Sequence, residues 1–179
     1  MQQLLRNGQE LVIRPATLED APALLDNLRI MTRETDFLLF SPEEAMAIDL
    51  AAERAFIQSY LDHPNHLLLL ALVEGKVVGS VTVNQGYFAK QAHRGEFGIG
   101  VQHAYWNMGI GRRLITATLR WATTHPQLEI LHFSAFANNE KAIQLYRNFD
   151  FQEHGRIPQG IRHKDGSYVD LVVMSRRVK

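Results

Sequence analysis

Cysteine is missing altogether from this chain of 179 residues. No disulfide framework can form and no thiolate metal site can be assembled. An excess charge of one sign is missing too, since nineteen Lys and Arg offset nineteen Asp and Glu. A broad nucleic-acid surface, which needs a cationic excess, is therefore not expected, although a small basic patch stays open. Long apolar runs are also lacking. The longest, LLLLALV at 67 to 73, falls far short of the ~20 residues that cross a bilayer. The start, MQQLLRNGQELVIRP, does not have the charged-then-apolar layout of a signal peptide. Together these absences set the expectation of a cytoplasmic protein with neither membrane nor nucleic-acid partners.

What is present is ordinary for a globular chain, with 46% hydrophobic and 21% charged residues. The length suits one domain over residues 1–179 and allows a substantial core. LVIRP at 11 to 15 reads as a strand stopped by Pro15. Thr17 and Asp20 have capping-box spacing, and Leu24, Leu25 and Leu28 recur at helical spacing to about Arg33. A second helix starts at Ser41, with Pro42 in its first position and Glu44 reaching back, and is predicted to run unbroken to His63-Pro64. The period then changes. HLLLLALV and KVVGSVTV flank Glu74-Gly75 as two antiparallel strands on a tight turn would. GEFGIGV is a further strand, 110 to 124 a helix closed by His125-Pro126, EILHFSAFA a strand, and NNEKAIQLYRNF a helix capped by Asn138 or Asn139. Two last strands surround Asp165-Gly166. The order β-α-α-β-β-β-α-β-α-β-β is that of an α/β, or α+β mixed-sheet, fold.

The junction WNMGIGRRL at 106 to 114 joins a strand to a helix through Gly109 and Gly111. Such a junction leaves helix amides unpaired, and those amides with the helix dipole favour an anion. Two familiar phosphate loops do not fit: there is no Gly-Lys-Ser/Thr, and Leu114 occupies the place of a dinucleotide fingerprint's third glycine. From spacing alone, a structural turn and an anion cradle both remain open.

The surrounding residues resemble the GNAT superfamily of acetyl-CoA-dependent N-acetyltransferases. IGV at 99 to 101, then QHAY, then WNMGIG matches the family's strand end, four-residue spacer and Gln/Arg-x-x-Gly-x-Gly/Ala loop, with Trp106 in the Gln/Arg place. NNEKAIQLYRNFDF resembles the Asn-x-x-Ala-x-x-Leu-Tyr-x-x-x-Gly-Phe segment through Asn139, Ala142, Leu145, Tyr146 and Phe151, with Asp150 in place of the glycine. The resemblance implies a GNAT-like sheet with a splayed central strand pair. It also implies transfer of acetyl from acetyl-CoA to a primary amine of a small molecule or peptide, by direct attack through a tetrahedral intermediate. A non-catalytic acyl-CoA-binding or regulatory module of the same fold is the alternative.

Residue by residue, the family pattern places the pyrophosphate of coenzyme A on Asn107, Met108, Gly109, Ile110, Gly111 and Arg112, with Arg113 adding attraction. It assigns main-chain contacts with the pantetheine arm to Ile99 and Val101, and a side-chain contact to Asn139, which can also simply cap its helix. Tyr146 corresponds to the tyrosine that donates a proton to the cofactor sulfur; a tyrosine on a buried helix face is the other reading. Glu96 is the candidate base, against a strand-edge carboxylate paired with Arg94 or solvent, and alternation sets it on the face opposite Val101. His103, His132 and Asp170 are lesser candidates. The acceptor is expected between residues 30–45, where Glu34, Asp36, Phe37 and Phe40 could receive a cationic amine, and 155–170. His63 with His66, and His163 with Asp165, are too loosely spaced for a metal site, so none is expected. Family analogy alone raises a homodimer.

Overall fold

The computed structural model describes residues 2–179. In chain order the elements are β1 (Gln2–Leu4), β2 (Glu10–Pro15), α1 (Ala21–Glu34), α2 (Pro42–Ala47), α3 (Leu50–Asp62), β3 (Leu67–Val73), β4 (Lys76–Gln85), β5 (Arg94–Val101), α4 (Ile110–Thr124), β6 (Ile130–Phe136), α5 (Glu140–Arg147), β7 (Gln152–Arg162) and β8 (Tyr168–Arg177). The strands form a mixed sheet in the order β1-β2-β3-β4-β5-β6-β8-β7. Two compact units divide the chain, the first running to Asn84 and adding Gly98–Trp121, the second holding Gln85–Phe97 and Ala122–Lys179.

Two elements depart from the sequence reading. β1 is additional, pairing antiparallel with β2 from Gln2↔Val12 to Leu4↔Glu10 across a turn that carries Gly8 at φ 85. Three residues are too few to show an alternating pattern, so only pairing defines them. The single helix expected over 42–62 is two helices. Ile48 turns extended (φ -70, ψ 123), and Asp49 accepts the Ala52 amide at 2.7 Å, capping a fresh start. An aspartate in mid-sequence is ambiguous, and the extended residue before it makes it a cap.

The other local signals act as expected. Ser41 accepts the Glu44 amide at 3.2 Å and Glu44 accepts the Ser41 amide at 2.8 Å, a reciprocal capping box. Glu74 (φ 47) and Gly75 (φ 77) supply the two left-handed residues of a tight hairpin turn between β3 and β4. At the start of α1, Arg14 grips Asp20 with two bonds of 2.6 Å. That pairing, more than the counteracting burial, holds the Asp20 carboxyl below its usual range.

In the first unit, every residue of β3 is buried, so both of its faces are covered. Leu68, Leu70 and Leu72 pack with Ala21, Leu24 and Ile57 from α1 and α3. Each such side chain contributes about 1.5–3 kcal/mol by leaving water. In the second unit, β5 and β6 run parallel over the pairs Arg94↔Ile130, Gly95↔Leu131 and Glu96↔His132, while β6 pairs antiparallel with β8 from Ile130↔Arg177 to Phe136↔Leu171. The β5–β6 ladder stops at Glu96, although the strands continue to Val101 and Phe136.

Candidate active site

In the first unit, the chain between β5 and α4 is pinned at three points. The buried Gln102 side chain donates to Asn27 Oδ1 at 2.9 Å and to the Val77 carbonyl at 3.2 Å. The His103 amide donates to Glu34 Oε2 at 2.7 Å. The Trp106 indole N–H donates to the Val101 carbonyl at 2.7 Å, and its ring meets His103 edge-on at 4.5 Å. Trp106, the departure from the family pattern, thus ties the loop back to the end of its own strand. Asn107 (φ 62) and Gly109 (φ 80) then turn the chain through left-handed backbone into α4. Asparagine tolerates that region and glycine adopts it without a Cβ penalty.

The start of α4 differs chemically from those of α2, α3 and α5. Ser41, Asp49 and Asn139 place a side-chain oxygen on the first turns of α2, α3 and α5, whereas Gly109 has no side chain to offer. The Arg113 amide bonds the Gly109 carbonyl at 3.1 Å, so the amides of Ile110, Gly111 and Arg112 precede the first intrahelical bond. Beside them lies a cavity of about 480 Å³, lined by Asn107, Met108, Gly109 and Arg112 together with Arg6, Arg113 and Arg120. No acidic side chain lines it among the described residues. Ile110 is itself in the core, 1% exposed, and brings only backbone to this region.

Arg113 has a structural task. Its Nε donates to Gln3 Oε1 at 2.7 Å, and its terminal nitrogens donate to the Met108 carbonyl at 3.3 Å and the Leu4 carbonyl at 3.4 Å. It fastens β1 to the loop. Gln3 and Arg6, more than a hundred residues upstream, therefore line this cavity, and no sequence signal pointed to them. Arg120 could have been found from its helical spacing with Arg112. Further along β5, a Cβ on residue 100 would lie 3.0 Å from Met31 Sδ and 3.9 Å from Leu38 Cδ2. Part of the segment expected to shape the acceptor site thus sits against the strand end, with Leu39 and Phe40 exposed.

In the second unit, Glu96 is exposed and pairs in register with His132. Desolvation first, then the charge of Arg94, lowers the His132 pKa, with Glu96 opposing. Phe97 faces the other way, its ring 5.5 Å from Phe133, 5.9 Å from Phe151 and 6.3 Å from Tyr146. Tyr146 lies 4.5 Å from Phe133, and burial pushes its phenol up to about 12. Glu96 and Tyr146 consequently occupy opposite faces of the β5–β6 pair. Asn139 Oδ1 accepts the Ala142 amide at 3.3 Å, so it does cap α5. Asp150 sits at φ 60, which accounts for glycine as the usual occupant of that place. Asp170 accepts the Gln159 amide at 2.9 Å and braces β7. Among the described residues, no group of three His, Cys, Asp or Glu side chains is placed to hold a metal ion.

The family model for the Acetyltransferase (GNAT) family matches residues 31–151. The chain belongs to the GNAT acetyltransferase family. As a GNAT protein it is an acetyl-CoA-dependent acyltransferase. It is 26% identical over 115 residues to the L-amino acid N-acetyltransferase AaaT of Escherichia coli (strain K12), an alignment spanning 64% of this chain and 70% of that protein. An acetyltransferase of the GNAT family from Streptococcus pneumoniae superimposes with a TM-score of 0.89 at 26% identity, over 93% of this chain and 99% of the other. The yncA structure from Salmonella typhimurium, solved with its cofactor acetyl-CoA, gives a TM-score of 0.82 at 19% identity and 94% coverage of both chains, a likeness of fold.

Proposed function

We propose that residues 1–179 work as one acetyltransferase domain that moves the acetyl group of acetyl-CoA to a primary amine of a small molecule or peptide. The observation that carries this reading is the arginine-lined cavity beside the glycine-led start of α4. A diphosphate suits that chemistry. Each charge-assisted hydrogen bond from an amide or guanidinium contributes roughly 1.5–3 kcal/mol, and the helix dipole adds to them. The diphosphate is assigned to the backbone of Asn107, Met108, Gly109, Ile110 and Gly111 and to the Arg112 side chain. Main-chain groups of Ile99 and Val101 are assigned to the pantetheine arm. Because Trp106 takes the Val101 carbonyl, the Val101 N–H is the group assigned to the thioester oxygen. Asn139 caps α5 through its oxygen and keeps its amide N–H₂ for the same arm.

Bound acetyl-CoA supplies an acetyl thioester that a neutral amine can attack. An alkylamine with a pKa of about 10.4 must lose a proton first. Glu96 is assigned that task, acting through water from the β5 face opposite Tyr146. Its partner His132, held neutral to lower pH than an ordinary imidazole, adds no charge that would repel a cationic amine. Tyr146 is assigned a hydrogen bond to the departing sulfur. With the phenol at about 12 and a thiol near 8.5, full proton transfer would cost roughly 5 kcal/mol. A hydrogen bond that stabilises the developing charge, with the proton then drawn from solvent, is the role consistent with that gap.

The relative named as an L-amino acid N-acetyltransferase puts amino acids first among the acceptors to try. The test is thiol release from acetyl-CoA across amino acids, polyamines, aminoglycosides and peptides. The chain has no cysteine to add background. Amine-dependent release is expected. Cofactor binding without release for any amine class would overturn the amine-transfer reading in favour of a binding module.

A further inference from the structure

We propose that Gly98 and Met31 determine which acceptors are taken, and that they select a primary amine carrying an apolar substituent of limited length. This rests on the amine-transfer reading above. On the side of the sheet that carries α1 and α3, cover falls away strand by strand. Leu68 of β3 is buried among Ala21, Leu24 and Ile57. Thr82, its register partner on β4, is half-buried, and Gly98 on β5 is exposed. A Cβ at Gly98 would lie 2.9 Å from Thr82 Oγ1, so the two residues share this face. Beyond its chain neighbours, that Cβ would meet no other described atom within 4 Å. The missing side chain therefore leaves a short trough open beside Thr82.

Two residues further along β5, the same face is closed. A Cβ at Gly100 would lie 3.0 Å from Met31 Sδ, 3.1 Å from Met31 Cε and 3.9 Å from Leu38 Cδ2. Glycine lets the thioether rest on the strand there. Met31 is only 6% exposed, and its sulfur accepts the Asn27 side-chain amide at 3.9 Å. Met31 and Leu38 thus form an uncharged, apolar end wall, with the backbone of Gly98 as the floor. A thioether is flexible and polarizable, so this wall packs well against an apolar group. It offers nothing to a charged one, which would lose its water without gaining a partner.

Steady-state acetylation of alanine, norvaline and norleucine, with glutamate and arginine as charged counterparts, tests this on the intact chain. In the wild type, kcat/KM should rise with apolar length until the trough is full, and exceed that for the charged acceptors about tenfold or more. Gly98→Ala should lower kcat/KM for the longest good acceptor about tenfold or more while sparing alanine. Met31→Ala should shift the preference towards longer substituents. Met31→Leu, which nearly conserves core volume, should shift it the same way by less. Calorimetric affinity for acetyl-CoA should stay within about twofold in all three, since none removes a charged hydrogen bond to the cofactor. Variants that change every acceptor by one common factor, or change none, overturn the proposal. So does a wild type that prefers the charged acceptors, or one that turns over other amines and none of the apolar series. Loss of acetyl-CoA affinity in Gly98→Ala would mark a distorted strand and remove Gly98 as a selector. Acetyl-CoA binding with no turnover of any amine overturns the amine-transfer reading itself.

Discussion

Adding one methyl group, Gly109→Ala, separates the cradle from a mere turn. Residue 109 sits at φ 80, where an L side chain costs about 1–2 kcal/mol. The new Cβ would lie 2.9 Å from Arg113 Nη1. That atom is the far end of a flexible side chain, so it can move, but moving it weakens its 3.3 Å bond to the Met108 carbonyl, a further loss of roughly 0.5–1.5 kcal/mol. Stability in urea should therefore fall by about 1.5–3.5 kcal/mol. Gly75→Ala is the control, since it has φ 77 and nothing within 4 Å of the added Cβ, so it carries the backbone cost alone. The two should part on cofactor affinity. The methyl at 109 sits on the loop whose backbone is assigned to the diphosphate, and loss of one charged hydrogen bond from that backbone raises Kd for acetyl-CoA about tenfold to a hundredfold. Calorimetric titration measures this beside the urea curve. Wild-type affinity in Gly109→Ala, or an equal loss in Gly75→Ala, would refute the cradle.

Two other perturbations probe the second unit. Tyr146→Phe keeps the ring that packs against Phe133 and Phe97, so acetyl-CoA affinity should hold within about twofold while kcat falls by roughly tenfold to a hundredfold. With the phenol at about 12, its ionisation should leave no alkaline limb near pH 10, and a limb there that disappears in the variant would contradict the burial argument. His125 Nδ1 accepts the Gln127 amide at 3.2 Å and the Leu128 amide at 3.1 Å, which a protonated ring nitrogen cannot do. Desolvation first, then the charge of Lys179, lowers its folded-state pKa. The unfolded imidazole takes its proton near 6.5, so this contribution is complete above about pH 6.5 and is lost as the pH falls through that value towards the depressed folded one. Urea midpoints for wild type and His125→Asn between pH 7.5 and 5 should show a shallower slope in the variant, and identical slopes would remove His125 as the cause.

Where a local signal was unambiguous, the order of residues was sufficient. A cap needs an oxygen and an amide three residues apart, so Ser41 and Glu44 were legible; a tight turn needs left-handed residues, so Glu74-Gly75 was too. Period-two alternation likewise set Glu96 and Val101 on opposite faces of β5 before any partner was known. The glycine junction was visible for the same reason, since its spacing belongs to one stretch of backbone. What the tertiary structure decided were the partners. The indole of Trp106 could have pointed anywhere until the strand end presented the Val101 carbonyl. Arg113 reads as a ligand for phosphate in a linear sequence, and becomes a clamp because Gln3 and Leu4 lie beside it in the fold. Arg6 joins the cavity only through that clamp. Burial raised the Tyr146 phenol because Phe97, Phe133 and Phe151, from three separate strands and connections, converge on it. The clamp joins residues 110 positions apart, the aromatic cluster gathers rings from separate elements, and the shape and dielectric they create exist only once the chain has packed.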